Sequence, residues 1–295
     1  MKKVLSTALI LGALYGTANA APVTSPIYMP EAGKVLANIN VGYTTSKFDK
    51  APVDTTNGER LEKKLRESWN IGAEGQFGVL DRLSLNYGLN FDFARKIAKK
   101  NQSAKFTNYY LGATGRVVDA NENKLDIILN IGQEEAPIFY NVDQIYVDLA
   151  VRYGLDLDMY NLGFSVGGKY INDYENKLAD NNIKLQRGFD FYAKLENEFI
   201  FDSINVGLDL YYNMHSKVKS KYLTPFDTEK FEWKSYNEYG FNVDLNYMLS
   251  EDNSIGIYYD MSFSNLKNKT ALTGYSAEWK KPTQYKFGVK YITQF

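Results

Sequence analysis

The sequence contains no cysteine and a single histidine, His215. Without thiols there is no disulfide scaffold, no cysteine nucleophile and no thiolate-bound metal, and a lone imidazole excludes any site built from several. Proline is scarce, with 7 in 295 residues. Beyond residue 20 no stretch approaches the roughly 18 uncharged apolar residues of a membrane-spanning helix. A positive surplus is also missing: 34 Lys and Arg oppose 35 Asp and Glu. That balance argues against nucleic acid as a partner, because phosphate binding needs excess cation. What the chain has in abundance is aromatic side chains, with 24 Tyr and 17 Phe. Tyrosine is amphipathic and favours strands and membrane interfaces. The mean hydropathy of −0.39 excludes a helical membrane protein but not one that crosses by strands.

Residues 1–20 combine Lys2 and Lys3, an apolar run from Val4 to Tyr15, and Ala18-Asn19-Ala20. This is the three-part pattern of a signal peptide, with cleavage expected after Ala20. Residues 21–33 hold three prolines and are expected to be a short periplasmic segment, either in contact with the mouth of the following domain or disordered.

From Lys34 onward apolar residues recur at every second position. The period-2 pattern predicts twelve strands, near 34–47, 65–79, 83–94, 105–117, 125–133, 144–156, 160–171, 187–199, 204–214, 234–248, 254–263 and 283–295. Five connections are tight and rich in Asp, Asn and Ser; the six between them are long. Strict alternation places all tight turns at one end of the strands. A transmembrane barrel obeys that rule, with short periplasmic turns and long external loops, whereas a soluble sandwich has little reason to.

Parity carries the argument further. The apolar parity, exemplified by Leu83, Leu85, Tyr87, Leu89, Phe91 and Phe93, has no charged residue at the strand centres. At the chain average of 23% charged residues, about fifteen would be expected there. The opposite parity holds Glu74, Asp92, Asp126, Asp148, Asp190, Glu196, Glu198, Asp209, Asp244 and Asp260 with Arg116, Arg152, Lys169, Lys194, Lys286 and Lys290. A soluble barrel would be inverted, apolar inside and charged outside. The predicted fold is therefore all-β: an antiparallel up-and-down transmembrane barrel over residues 34–295. Outward aromatics such as Tyr43, Trp69, Tyr212 and Tyr285 at the long-loop ends, and Phe77, Tyr160, Tyr247 and Phe295 at the tight-turn ends, are expected to form two girdles.

The last strand alternates through Tyr285, Phe287, Val289 and Tyr291 and ends on Phe295. It resembles the C-terminal assembly signature of bacterial outer-membrane β-barrel proteins. The resemblance implies insertion into the outer membrane of a Gram-negative-type envelope and handling by the barrel-assembly machinery. It also implies a passive, porin-like channel for ions or small hydrophilic solutes, with no cofactor. Fifteen of the inward charged residues are expected to line its pore, Glu198 standing apart, and the acid excess implies a weak cation preference. Arg116 with Asp126, Asp260 with Lys286, and Arg152 with Asp148 or Asp156 are candidate ion pairs. Arg95, Lys96, Lys99, Lys100 and Lys105, with Lys217, Lys219 and Lys221, suggest a basic rim suited to lipopolysaccharide phosphates. Barrels of this size imply a monomer.

Two alternatives stay open. A non-conducting surface barrel could bind partners through its loops. A hydrolase is the weaker one: His215 and Ser216 fall on opposite faces of a strand, unlike the same-face pair of the outer-membrane phospholipase. A rim pairing of His215 with Asp227 or Glu229, in the manner of omptin proteases, is conceivable. No other catalytic motif is present.

Overall fold

The computed structural model describes residues 23–48, 64–97, 100–135, 143–157, 159–178, 181–223, 228–265, 267–272, 275–280 and 282–295. The expected signal peptide, residues 1–20, lies outside them.

Twelve long strands form the wall: β1 (Val35–Phe48), β2 (Lys64–Leu80), β3 (Leu83–Ile97), β5 (Lys105–Ala120), β6 (Asn123–Glu135), β7 (Asp143–Leu157), β8 (Tyr160–Ile171), β11 (Phe189–Phe201), β12 (Ile204–His215), β15 (Tyr236–Ser250), β16 (Asn253–Ser264) and β19 (Pro282–Gln294). Each pairs antiparallel with its neighbours in sequence, and β1 pairs with both β2 and β19, so the sheet closes. Val41 sits opposite Ile71 on one side and Val289 on the other. Closure gives every wall strand two partners and leaves no edge, which hydrocarbon surroundings require.

Two residues separate the strands at each tight turn. Asn121 and Asp202 take left-handed backbone angles there (φ 48° and 54°), which short polar side chains tolerate. The long connections contain further pairing that periodicity does not reveal. Strands β9 (Tyr174–Leu178), β10 (Asn181–Gln186), β13 (Val218–Leu223) and β14 (Thr228–Trp233) make a separate four-stranded sheet, joined through β10 and β13. Strands β17 (Lys267–Leu272) and β18 (Tyr275–Lys280) form a hairpin, and β4 (Lys100–Asn101) extends the turn after β3.

The outer face is apolar. Leu111, Ile131, Leu149, Ile257 and Val289 are all more than half exposed, an arrangement suited to lipid and not to water. Outward aromatics pack in rows: Tyr43 lies 5.5 Å from Trp69 and 5.6 Å from Phe287, and Tyr160 lies 5.0 Å from Phe199. Tyrosine is not confined to these rows. Tyr110, Tyr146, Tyr192, Tyr211 and Tyr258 carry the inward parity, so the girdles account for only part of the aromatic excess.

Candidate functional site: a charge-paired lumen with a folded floor

At the tight-turn end the N-terminal segment enters the barrel. Gly33 turns the chain from the wall into the lumen with φ +84°, in the left-handed region that favours glycine, and its N–H donates to Gly78 O at 2.7 Å. Val23 and Ile27 are buried, and Ile27 packs where Gly154 and Gly163 leave the wall bare. Asn205 donates to Thr24 Oγ1 at 2.7 Å, and Tyr28 is hydrogen-bonded to Gln294. Residues 23–33 thus take the mouth-contact arrangement. Disorder loses because two prolines reduce the freedom of the unbound segment and the apolar Val23 and Ile27 are buried.

Two arginines hold this floor. Arg116 Nη2 donates to Ile27 O at 2.6 Å and Arg152 Nη1 to Pro26 O at 2.5 Å. Both also bind the fully buried Asp126, at 2.9 and 2.7 Å. The expected Arg116–Asp126 pair is present, whereas Arg152 reaches Asp126 and not Asp148. Residues four apart along a strand are about 13 Å apart, but Asp126 lies directly opposite Arg152 in the register.

Mid-lumen, Lys194 bridges Glu196 (2.6 Å) and Asp209 (3.2 Å), and Lys290 meets Asp244 at 2.9 Å. A three-strand arrangement recurs beside them. Tyr192 lies across Gly167 of the adjoining strand, and its hydroxyl donates to Asp148 one strand further on, at 3.0 Å. Tyr211 lies across Gly240 and donates to Asp260 at 3.2 Å in the same way. This overturns the expected Asp260–Lys286 pair: the two are register partners, but Tyr211 takes the carboxylate and Lys286 sits 5.4 Å above the Tyr258 ring. Tyr110 crosses Gly88 toward Glu74, the third instance by register. Here no hydroxyl–carboxylate bond forms among the described residues; Glu74 accepts from Asn38 Nδ2 at 3.1 Å.

Toward the loop end the charges form two networks, one around Asp92 and Glu135 and one around Glu134 and Asp190. Asp92 accepts from Ser68 (2.8 Å) and Arg66 (2.5 Å). Glu135 receives Arg95 at 2.6 Å, while Lys105 reaches Asp143 at 2.6 Å. Glu134 takes Lys169 at 2.8 Å and lies 3.5 Å from Arg187, which binds Asp190 at 2.7 Å. Arg95 and Lys105, expected on a basic outer rim, are instead lumen residues. Two bulges cause this. Ala94, with φ 47°, adds a residue to β3 opposite β2, and Thr107 adds one to β5 opposite β3. Each extra residue reverses the parity beyond it. Lys96 stays exposed; Lys99 lies outside the described residues.

His215 belongs to the second of these networks. Its Nδ1 lies 2.8 Å from Asp190 Oδ2, and its ring stacks on Tyr236 at 4.5 Å. A carboxylate only accepts, so Nδ1 carries the proton. Ser216 Oγ donates to Asp190, not to the imidazole. Asp227 lies outside the described residues.

Between floor and loop-end networks is a cavity of about 340 Å³. Asn38, Glu74, Asn86, Tyr110, Asn130, Glu196 and Lys290 line it, with Val23 to Pro26 below.

No family model matches the sequence, and no curated protein matches it. Solved structures do share its architecture. An outer membrane channel from Pseudomonas putida F1 superposes with a TM-score of 0.57 at 13% identity, over 95% of this chain and 100% of that one. A TodX deltaS2S3 mutant monoaromatic hydrocarbon channel gives 0.52 at 10% identity, over 95% of each chain. A Pseudomonas aeruginosa FadL homologue gives 0.51 at 10%, over 94% and 95%. The chain has the fold of the bacterial outer-membrane β-barrel channels.

Proposed function

We propose that the protein is an outer-membrane channel, exported by residues 1–20, through which small hydrophilic solutes diffuse passively with a weak preference for cations. The observation that carries this reading is the opposition of the two faces: an uncharged apolar exterior around a closed wall, and an interior of paired charges enclosing a polar cavity. Such an interior suits hydrated solutes better than the monoaromatic hydrocarbons named for TodX, because apolar molecules gain nothing from a lining of carboxylates and amides. The acid excess at inward positions favours cations, since a polar wall of one net sign concentrates its counter-ions. Residues 23–33 narrow the tight-turn mouth and limit the current.

The test is a planar-bilayer recording of the folded mature protein. Stable single-channel steps with a potassium-to-chloride permeability ratio above one are expected. A folded barrel that stays electrically silent overturns the channel reading and favours a surface role. The ordered four-stranded loop sheet would serve such a role. Chloride preference overturns the selectivity alone.

A further inference from the structure

We infer that the luminal cavity is a binding site for a small organic cation, a solute bearing a protonated primary amine and hydroxyl groups. This deepens the channel reading by naming the class of solute that lingers in the passage, and rests on it.

Glu74 is the first observation. Its carboxylate faces the cavity and is exposed within it. The other acids near it are satisfied: Glu196 by Lys194, Asp244 by Lys290, Asp148 by Tyr192 and Asp260 by Tyr211. Glu74 occupies the acid position of the third tyrosine–glycine–acid arrangement, yet receives only the Asn38 amide among the described residues. About three of the carboxylate's four acceptor sites, with its full charge, are left for a ligand.

The second observation is a set of unpaired amide oxygens. Asn38 Oδ1, Asn40 Oδ1 and Asn70 Oδ1 on β1 and β2, with Asn242 Oδ1 and Asn246 Oδ1 on β15, have no donor among the described residues. These strands lie together on one side of the barrel, separated by β16 and β19. Of these only Asn38 lines the cavity, its unpaired oxygen on the same side chain that binds Glu74, and the one lysine of the lining, Lys290, is held by Asp244. An ammonium group supplies three donors and one positive charge and no acceptor, the complement of Glu74 and that oxygen. An anion would meet acceptors it cannot use. The amides Asn86 and Asn130, joined to each other at 3.1 Å, offer both donors and acceptors to hydroxyl groups across the cavity. The volume, about 340 Å³, is at the small end of ligand sites of roughly 300–1,000 Å³.

The probes are three sugars of one ring size: glucosamine, glucose and glucuronate, titrated at about pH 6 into the folded full-length mature protein in detergent, where an amine is protonated. Saturable binding of glucosamine is expected, with glucose and glucuronate at least about tenfold weaker. Glu74→Gln is expected to remove that margin while the barrel keeps its folded gel mobility. Equal binding of glucose and glucosamine, stronger binding of glucuronate, or glucosamine binding untouched by Glu74→Gln each overturns the inference. The comparison among sugars needs no variant, so a folding defect in Glu74→Gln leaves the proposal falsifiable. Bilayer recording separates the two readings. Ionic steps that glucosamine fails to block overturn the site and keep the channel; a silent barrel that still binds glucosamine through Glu74 overturns the channel and keeps the site.

Discussion

Asp126 lies between Arg116 and Arg152 and orients both guanidinium groups toward the carbonyls of Pro26 and Ile27. The carboxylate touches no atom of the floor through these bonds, yet it sets the position of both groups that hold it. Asp126→Asn removes the negative charge and one of the two acceptor oxygens, and leaves two cations facing one another in a buried site. Removing one partner of such a network costs about 3–5 kcal/mol. The expected outcome is a lower urea midpoint together with a higher open-channel conductance, because the floor loses its anchors. A stability loss with unchanged conductance would show that the floor holds without the arginines.

Shortening the floor tests the same element without disturbing the wall. A chain lacking residues 23–31 keeps Gly33 and all twelve wall strands. Its conductance is expected to rise severalfold, since current through a narrow passage follows its tightest section. The absence of cysteine makes a second measurement clean: a single Ile27→Cys label should react slowly in the folded barrel. Reaction as fast as in urea would place the segment outside the lumen.

The wall was legible in the sequence because a strand between lipid and water must alternate, and nothing in either medium relaxes that demand. From Leu83 to Phe93 the parity reads without a break. It fails at Ala94, where one extra residue turns Arg95 inward, and at Thr107, which does the same for Lys105. Bulges leave little trace in composition when alanine or threonine occupies them in place of glycine. The partners of the inward charges were also hidden, because they depend on register across strands. Tyr211 reaches Asp260 only because Gly240 lies between them, a relation among residues 29 and 20 positions apart. The His215–Asp190 pair spans 25 residues and could not be chosen in advance over the nearer acids of the following loop.

Ala94 provides a direct test of the first bulge. A non-glycine residue in the left-handed region costs roughly 1–2 kcal/mol, and Ala94 sits there at φ 47°. Ala94→Gly is expected to raise the stability of the barrel by up to about 1 kcal/mol, less the greater freedom glycine has when unfolded. Ala94→Val, β-branched, should lower it and weaken the hold of Arg95 on Glu135. Urea midpoints for both variants check the sign, and destabilisation by glycine would contradict the assigned backbone angle.

The tyrosine–glycine–acid arrangements predict an asymmetry between two kinds of substitution. A Cβ added at Gly167 or Gly240 would land on the ring of Tyr192 or Tyr211, which cannot swing aside without leaving Asp148 or Asp260. Each glycine-to-alanine change is expected to cost about 1–3 kcal/mol through this crowding, with the hydroxyl bond lost as well. Tyr192→Phe and Tyr211→Phe keep the ring over the glycine and remove only the hydroxyl. They should cost less than the alanine changes while leaving a carboxylate with a vacant acceptor, as Glu74 has already. If a free luminal carboxylate is what draws cations, each phenylalanine variant raises the potassium-to-chloride permeability ratio while the alanine variants do so only as far as they displace the ring. Identical ratios in wild type and both phenylalanine variants would show that these acids do not govern ion preference.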